Sequence, residues 1–278
     1  MLSTTSPRRC TVAIAMIEPG AASPGISVAR SFRTAKGFVD RVVGLSFEKD
    51  VARLRSADLA LASVLAAPSP EDTDDFLERL AELRSRCPID VLVPARSADA
   101  IALAPCKGEL QALGIRTFLP TLAQLDLLRS AVYCSPTLPG AEAPNGAYAV
   151  AALGDGEGRA VGMVALRKIV AGSESQRWVG VVAQDETLRE RVHALVSQTQ
   201  LRGPMEIDLV RDPGEGGYRL VRIQPRFPGW VHLFASPGPN LPTLLVRLAL
   251  GEAVEPQPEL PGGPLLVGAA WEPWMSRD

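Results

Sequence analysis

Lysine is nearly missing from this sequence, and histidine, cysteine and aromatic residues are scarce. Only Lys36, Lys49, Lys107 and Lys168 stand among 29 basic residues, so arginine carries almost all of the positive charge. The four cysteines, Cys10, Cys87, Cys106 and Cys134, are far apart, with no CxxC and no histidine nearby. That spacing argues against a zinc site and a disulfide framework and leaves four separate reduced thiols. His193 and His232 each stand alone and are assigned no role. No charge-free apolar run is long enough to cross a bilayer. A net charge of −2 gives no long-range attraction for nucleic acid, and no basic stripe interleaved with aromatics occurs. Neither GxGxxG nor the Walker phosphate-binding loop follows the first apolar run, and Gly20 to Gly25 (GAASPG) reads as a plain turn. Met1 to Cys10 carries two arginines with no apolar stretch behind them, so no secretory leader is expected. The reading is of a cytoplasmic chain with neither membrane nor nucleic acid as a partner.

What is present is a pattern that changes half-way along. Short apolar strands are expected at Thr11 to Ile17, Phe38 to Leu45, Leu59 to Leu65, Ile89 to Val93 and Ile115 to Leu119. Helical stretches alternate with them: Ser27 to Lys36, Glu48 to Arg55, Glu71 to Arg86, and Asp99 to Leu113 with a break near Pro105. This alternation implies right-handed crossovers and a mostly parallel, Rossmann-like α/β domain over residues 1–120. Residues 121–146 read as a linker: Thr121 to Tyr133 can form a helix, and Ser135 to Gly146 is rich in Pro, Gly and Ala. Over 147–278 longer strands with tight turns predict an α+β part with a mainly antiparallel sheet. Its strands are Ala147 to Leu153, Ala160 to Val170, Trp178 to Ala183, Met205 to Arg211, Tyr218 to Gln224 and Leu265 to Ala270. Helices are expected at Thr187 to Thr199 and Leu241 to Leu250.

Four spaced motifs lie in the second half. They are the Gly154-Asp155-Gly156-Glu157-Gly158 turn with a strand ending in Arg167-Lys168, and Gly203-Pro204-Met205-Glu206-Ile207-Asp208. Then come Leu220 to Trp230 (LVRIQPRFPGW), and Asn240-Leu241-Pro242 before a helix ending Leu248-Ala249-Leu250-Gly251. In this order they resemble the ATP-grasp superfamily, with residues 1–120 similar to its pre-ATP-grasp domain. Together the resemblance covers most of the chain. It implies a fold that holds ATP between two subdomains, with magnesium on acidic residues, and couples ATP hydrolysis to amide or thioester formation through an acylphosphate.

Three departures change what the resemblance implies. The metal-binding strand usually reads Glu-Ile-Asn-Pro-Arg-Phe, whereas here Arg222 and Gln224 occupy the Glu and Asn positions. A guanidinium has five donors and no acceptor lone pair, so it cannot ligate a hard cation. Residues 121–146 contain no lysine and are too few for the lid subdomain that usually carries the nucleotide-contacting lysines. Asp208 remains as a candidate metal carboxylate, in a degenerate site with Arg222 and Gln224. Arg167, Lys168, Arg226 and Asn240 are candidate phosphate or ligand contacts, and Arg226 is equally well read as half of a structural ion pair. If the strands bearing Asp208 and Arg222 pair, a salt bridge between the two is expected to fill the former metal position. Phe227, Trp230, Val231, Leu233 and Phe234 form an aromatic-apolar cluster, read as core and, second, as a partner-binding patch.

The expected function is that of a non-catalytic ATP-grasp-like protein, with no cofactor, binding a partner ligase, a peptide or a small molecule. By analogy its assembly is a homodimer or a heterodimer with an intact ATP-grasp enzyme. The alternative is an active ATP-dependent carboxylate-amine ligase that uses ATP and Mg2+ in a reduced site. A third reading is a small-molecule binding module that uses the cleft between domains.

Overall fold

The computed structural model describes residues 10–20, 23–35, 37–57, 61–133, 146–171, 178–212, 217–258, 260, 265–267 and 273–275. Expectations placed on residues 1–9, on Lys36, on 134–145 with Cys134, on the Gly-rich turn at 213–216 and on 268–270 lie outside that set.

In the first half, β1 (Cys10–Ala15), β2 (Val39–Ser46), β3 (Ser63–Ala66) and β4 (Val91–Pro94) form a parallel sheet in the order β3-β2-β1-β4. Helices α1 (Pro24–Ser31), α2 (Glu48–Ala57), α3 (Thr73–Arg86), α4 (Ser97–Leu103) and α5 (Lys107–Ala112) connect and cover it. Every residue of β1 is buried, as a central parallel strand covered on both faces requires. Val12 and Ile14 join one core with Ile26, Ala29 and Phe32, while Ala13 and Ala15 join another with Phe76, Leu80 and Leu103. The break expected near Pro105 is present between α4 and α5. The fifth strand expected at Ile115 to Leu119 does not form, and only Arg116 bridges to Val91. Pro120 has no N–H for a ladder, and the chain turns instead into α6 (Leu122–Tyr133). The first half of the proposed linker is therefore a helix.

The second half is an antiparallel sheet in the order β11-β10-β7-β6-β5-β8-β9. Its strands are β5 (Ala147–Asp155), β6 (Ala160–Ala171), β7 (Trp178–Val182), β8 (Arg202–Arg211), β9 (Tyr218–Gln224), β10 (Leu265–Val267) and β11 (Pro273–Met275). Central β5 is buried throughout and alternates between two cores. Tyr148, Val150 and Ala152 face the side covered by α6 and α7 (Glu186–Thr199), with Leu125, Leu128, Leu188, Val192 and Val196. Ala149, Ala151 and Leu153 face the side of α8 (Leu241–Ala249).

That second core also contains Val12, Ile14 and α1, so the two sheets share one continuous apolar interior. Phe227, Trp230, Val231 and Phe234 are buried in it, and Trp230 meets Phe234 edge-to-face with centroids 5.7 Å apart. This removes the partner-patch reading of the cluster. Polar contacts fix the same junction. The His232 backbone N–H donates to Ser27 Oγ at 3.1 Å, and its ring Nδ1 lies 2.8 Å from that hydroxyl. Asn240 Nδ2 donates to Ser31 O and Thr34 Oγ1, while its Oδ1 caps α8 by accepting from the Thr243 N–H. Cys10, Cys87 and Cys106 carry free thiols. No helix among the described residues is long and apolar enough to cross a membrane.

Candidate functional site

Side chains alternate across a strand, so residues two apart share a face. On β8 this puts Glu206 and Asp208 together. The β8–β9 register sets Gln224 directly opposite Glu206 and Arg222 directly opposite Asp208, before a bulge after Asp208 displaces the ladder. On the other flank, Ala149 of β5 pairs with both Asp208 and Leu166 of β6. Lys168, two residues beyond Leu166, is thus on the same face. Only the methyl groups of Ala147 and Ala149 stand between, so the lysine stem lies across β5 and reaches β8.

The result is a compact charge cluster. Lys168 Nζ donates to Asp208 Oδ1 at 2.9 Å, and Arg222 donates to Asp208 Oδ2 from Nε at 2.8 Å and Nη2 at 2.6 Å. Asp208 is 9 % exposed against 47 % for Arg222, so the guanidinium reaches in from solvent to a buried carboxylate. The salt bridge expected between them is present, with Lys168 as a second partner. Burial pushes the Asp208 carboxyl up, but the charges and hydrogen bonds of Lys168 and Arg222 outweigh it and hold the group below its usual value.

Glu206 behaves in the opposite way. Arg226 Nη2 stands 2.6 Å from Glu206 Oε2, yet its N–H groups are directed elsewhere, from Nη2 to Gln224 Oε1 at 2.9 Å and from Nη1 to Phe227 O at 3.1 Å. The contact is an ion pair without hydrogen-bond geometry, and Oε2 is buried with no donor aimed at it. Burial is the main influence on Glu206. Arg226, Arg222 and Lys168 pull against it and Asp208 adds to it, and the carboxyl is left above its usual value. Sequence reasoning passed over Glu206, although the period-two spacing with Asp208 was the available signal.

The other candidates are placed elsewhere. Arg167 neighbours Lys168 but pairs with Tyr148, on the opposite face, and is exposed. Asn240 is engaged at the α1–α8 junction. Magnesium asks for about six oxygens in tight octahedral geometry. Here both Asp208 oxygens and the Gln224 oxygen already accept from cations, and no group of three or more His, Cys, Asp or Glu among the described residues could hold a metal. The donor set does not fit a divalent ion. A cavity of about 20 Å3, room for one water, is lined by Met163, Ala165, Asp185 and Leu188 and lies away from this cluster.

No protein-family model matches the sequence, and no curated protein matches it. Solved structures do. The L-amino acid ligase of Bacillus licheniformis superposes with a TM-score of 0.60 at 14% identity, over 89% of this chain and 75% of that one. The phosphoribosylaminoimidazole carboxylase ATPase subunit of Aquifex aeolicus gives 0.53 at 14% identity, over 88% and 77%. The biotin carboxylase domain of the Hydrogenobacter thermophilus 2-oxoglutarate carboxylase, solved with MgADP, ADP and bicarbonate, gives 0.58 at 11% identity, over 87% and 70%. The fold is ATP-grasp-like. At these identities the likeness speaks for architecture alone. Within the ATP-grasp-like frame, the strand carrying Arg222 and Gln224 runs beside the one carrying Asp208, and the cations close over the acid.

Proposed function

We propose that this chain is a non-catalytic ATP-grasp-like protein that acts by binding, with a partner ligase, a peptide or a small molecule as its target. One observation carries the reading: both oxygens of Asp208 are held by permanent or near-permanent cations, and Arg222 occupies the register position opposite it. A divalent ion about 5 Å from one fixed unit positive charge is repelled by roughly 6–7 kcal/mol at an effective dielectric of about 20. Lys168, Arg222 and Arg226 supply three such charges against two carboxylates, one of which gains protons easily. Loading magnesium would therefore mean displacing Lys168 and Arg222 from the Asp208 oxygens before any nucleotide contact forms. No observation favours the active-ligase alternative.

The test is thermal unfolding of the whole chain with ATP, with Mg2+, and with both. A ligand bound only by the native state raises Tm by mass action. The expected result is no stabilisation that depends on having Mg2+ and ATP together, and no phosphate release. Magnesium-dependent stabilisation by ATP, or measurable ATPase activity, rejects the proposal.

A further inference from the structure

Arg202 opens β8, six residues before Asp208 and so about 20 Å from it along the strand. Its guanidinium lies over a core aromatic, with Cζ 3.8 Å from the centroid of the Phe118 ring. Its aliphatic stem lies on the backbone of Gly156. A Cβ built there would stand 3.2, 3.4 and 3.6 Å from Arg202 Cβ, Cγ and Cδ, and φ is +85°. A glycine therefore provides the seat and Phe118 provides the backrest. Neither is a hydrogen-bond acceptor in the guanidinium plane.

None of the five side-chain donors of Arg202 meets an acceptor among the described residues, and Nε is sealed from solvent without a partner. The acid that faces it across the β5–β8 ladder, Asp155, is turned away. That carboxylate accepts from the Glu157 and Arg159 backbone N–H groups at 2.8 and 3.0 Å and from Arg159 Nε at 2.7 Å. Burial alone, with no acid to offset it, lowers the proton affinity of Arg202. Every other buried or half-buried cation described above has a carboxylate beside it. A desolvated charge without a counter-ion is costly, and an unsatisfied buried donor calls for a missing partner. The ring covers the guanidinium, and its fork of N–H donors forms an edge that meets no acceptor among the described residues. That edge is the geometry that takes two oxygens of a carboxylate or phosphate.

We propose that Arg202, seated between Gly156 and Phe118 where the two sheets meet, anchors a binding site for a small oxyanion, a carboxylate or a phosphate group. The site is separate from the Asp208 cluster and needs no metal. It does not rest on the chain being catalytically inactive.

Inorganic phosphate and, in a second series, succinate are titrated into the whole chain at fixed pH and ionic strength, with chloride as the replaced anion and no Mg2+. Tm and calorimetric Kd are read for the parent, for Arg202→Gln and for Arg202→Lys. The parent should gain about 3 °C at ten times Kd in at least one series. Arg202→Gln should lose that gain. Arg202→Lys, which keeps the charge but not the planar fork, should bind about tenfold more weakly. The series that responds identifies the oxyanion. No shift in either series, or an equal shift in parent and Arg202→Gln, overturns the proposal.

Discussion

Two carboxylates on one strand face, two residues apart, are driven in opposite directions by their neighbours. Asp208 receives three directed hydrogen bonds from cations, and Glu206 receives none at Oε2. Asp208 is held below its unfolded value, so its contribution to stability is full above the ordinary carboxylate pKa of about 4. That contribution is lost as pH falls through the folded-state value. Glu206 is held above its unfolded value. Its ionised form is disfavoured in the fold, so its contribution is present below about pH 4 and lost as pH rises through the folded-state value. Asp208→Asn should therefore lower stability at pH 7 by about 3 kcal/mol, because two cations lose their counter-ion. The difference from parent should shrink towards zero in strong acid. Glu206→Gln should melt no lower than parent at pH 7, and any gain should vanish below about pH 4. Paired melting curves from pH 3 to 8 check both, and a Glu206→Gln loss as large as that of Asp208→Asn would refute the assignment.

At the scale of elements, the cluster depends on strands that approach closely and carry little bulk. Ala147 and Ala149 give Lys168 its path across β5. At the far end of that strand Gly154 lets β5 meet the entry to β8. A Cβ on Gly154 would fall far inside van der Waals contact distance of the Leu201 carbonyl oxygen, a backbone atom that cannot swing aside. The same carbonyl accepts from the Gly156 N–H at 3.2 Å. Gly154→Ala should cost more than 3 kcal/mol, read as a fall in the urea midpoint with unchanged slope. Gly162→Ala makes a useful contrast, because the added Cβ there meets the tip of the Leu241 side chain, which can move. A Gly154→Ala midpoint equal to that of Gly162→Ala would show that the strand entry is slack. The β8–β9 pairing was readable from the sequence because period-two patterning and a tight turn fix which residues oppose each other. Lys168 could not be placed that way. Its reach to Asp208 crosses a third strand that the turn does not connect, and only the sheet order supplies that.

At the scale of the whole molecule, the two sheets are bound by one shared core and by the His232, Asn240 and Thr34 contacts at α1. His232 was legible only as an isolated residue and Asn240 only as a candidate ligand contact, since their partners at this junction lie more than 200 positions away in the chain. The parallel-then-antiparallel division was legible because it follows from local periodicity. The absence of a fifth strand was not, because it depends on where Pro120 sends the chain. The same large-scale view limits what reversing the cluster can achieve. No lysine occurs anywhere in residues 121–146. Arg222→Glu with Gln224→Asn restores two oxygen ligands beside Asp208 and removes the cation opposite it. This double variant should gain a divalent-ion-dependent rise in Tm that the parent lacks. It should still hydrolyse no ATP, because the restored ligands recreate only the metal-binding floor of the site and residues 121–146 bring no lysine to the nucleotide phosphates. Turnover by the double variant would mean that the scaffold holds ATP productively without a lysine from residues 121–146. No gain in divalent binding would mean that Arg222 is not what keeps metal from Asp208.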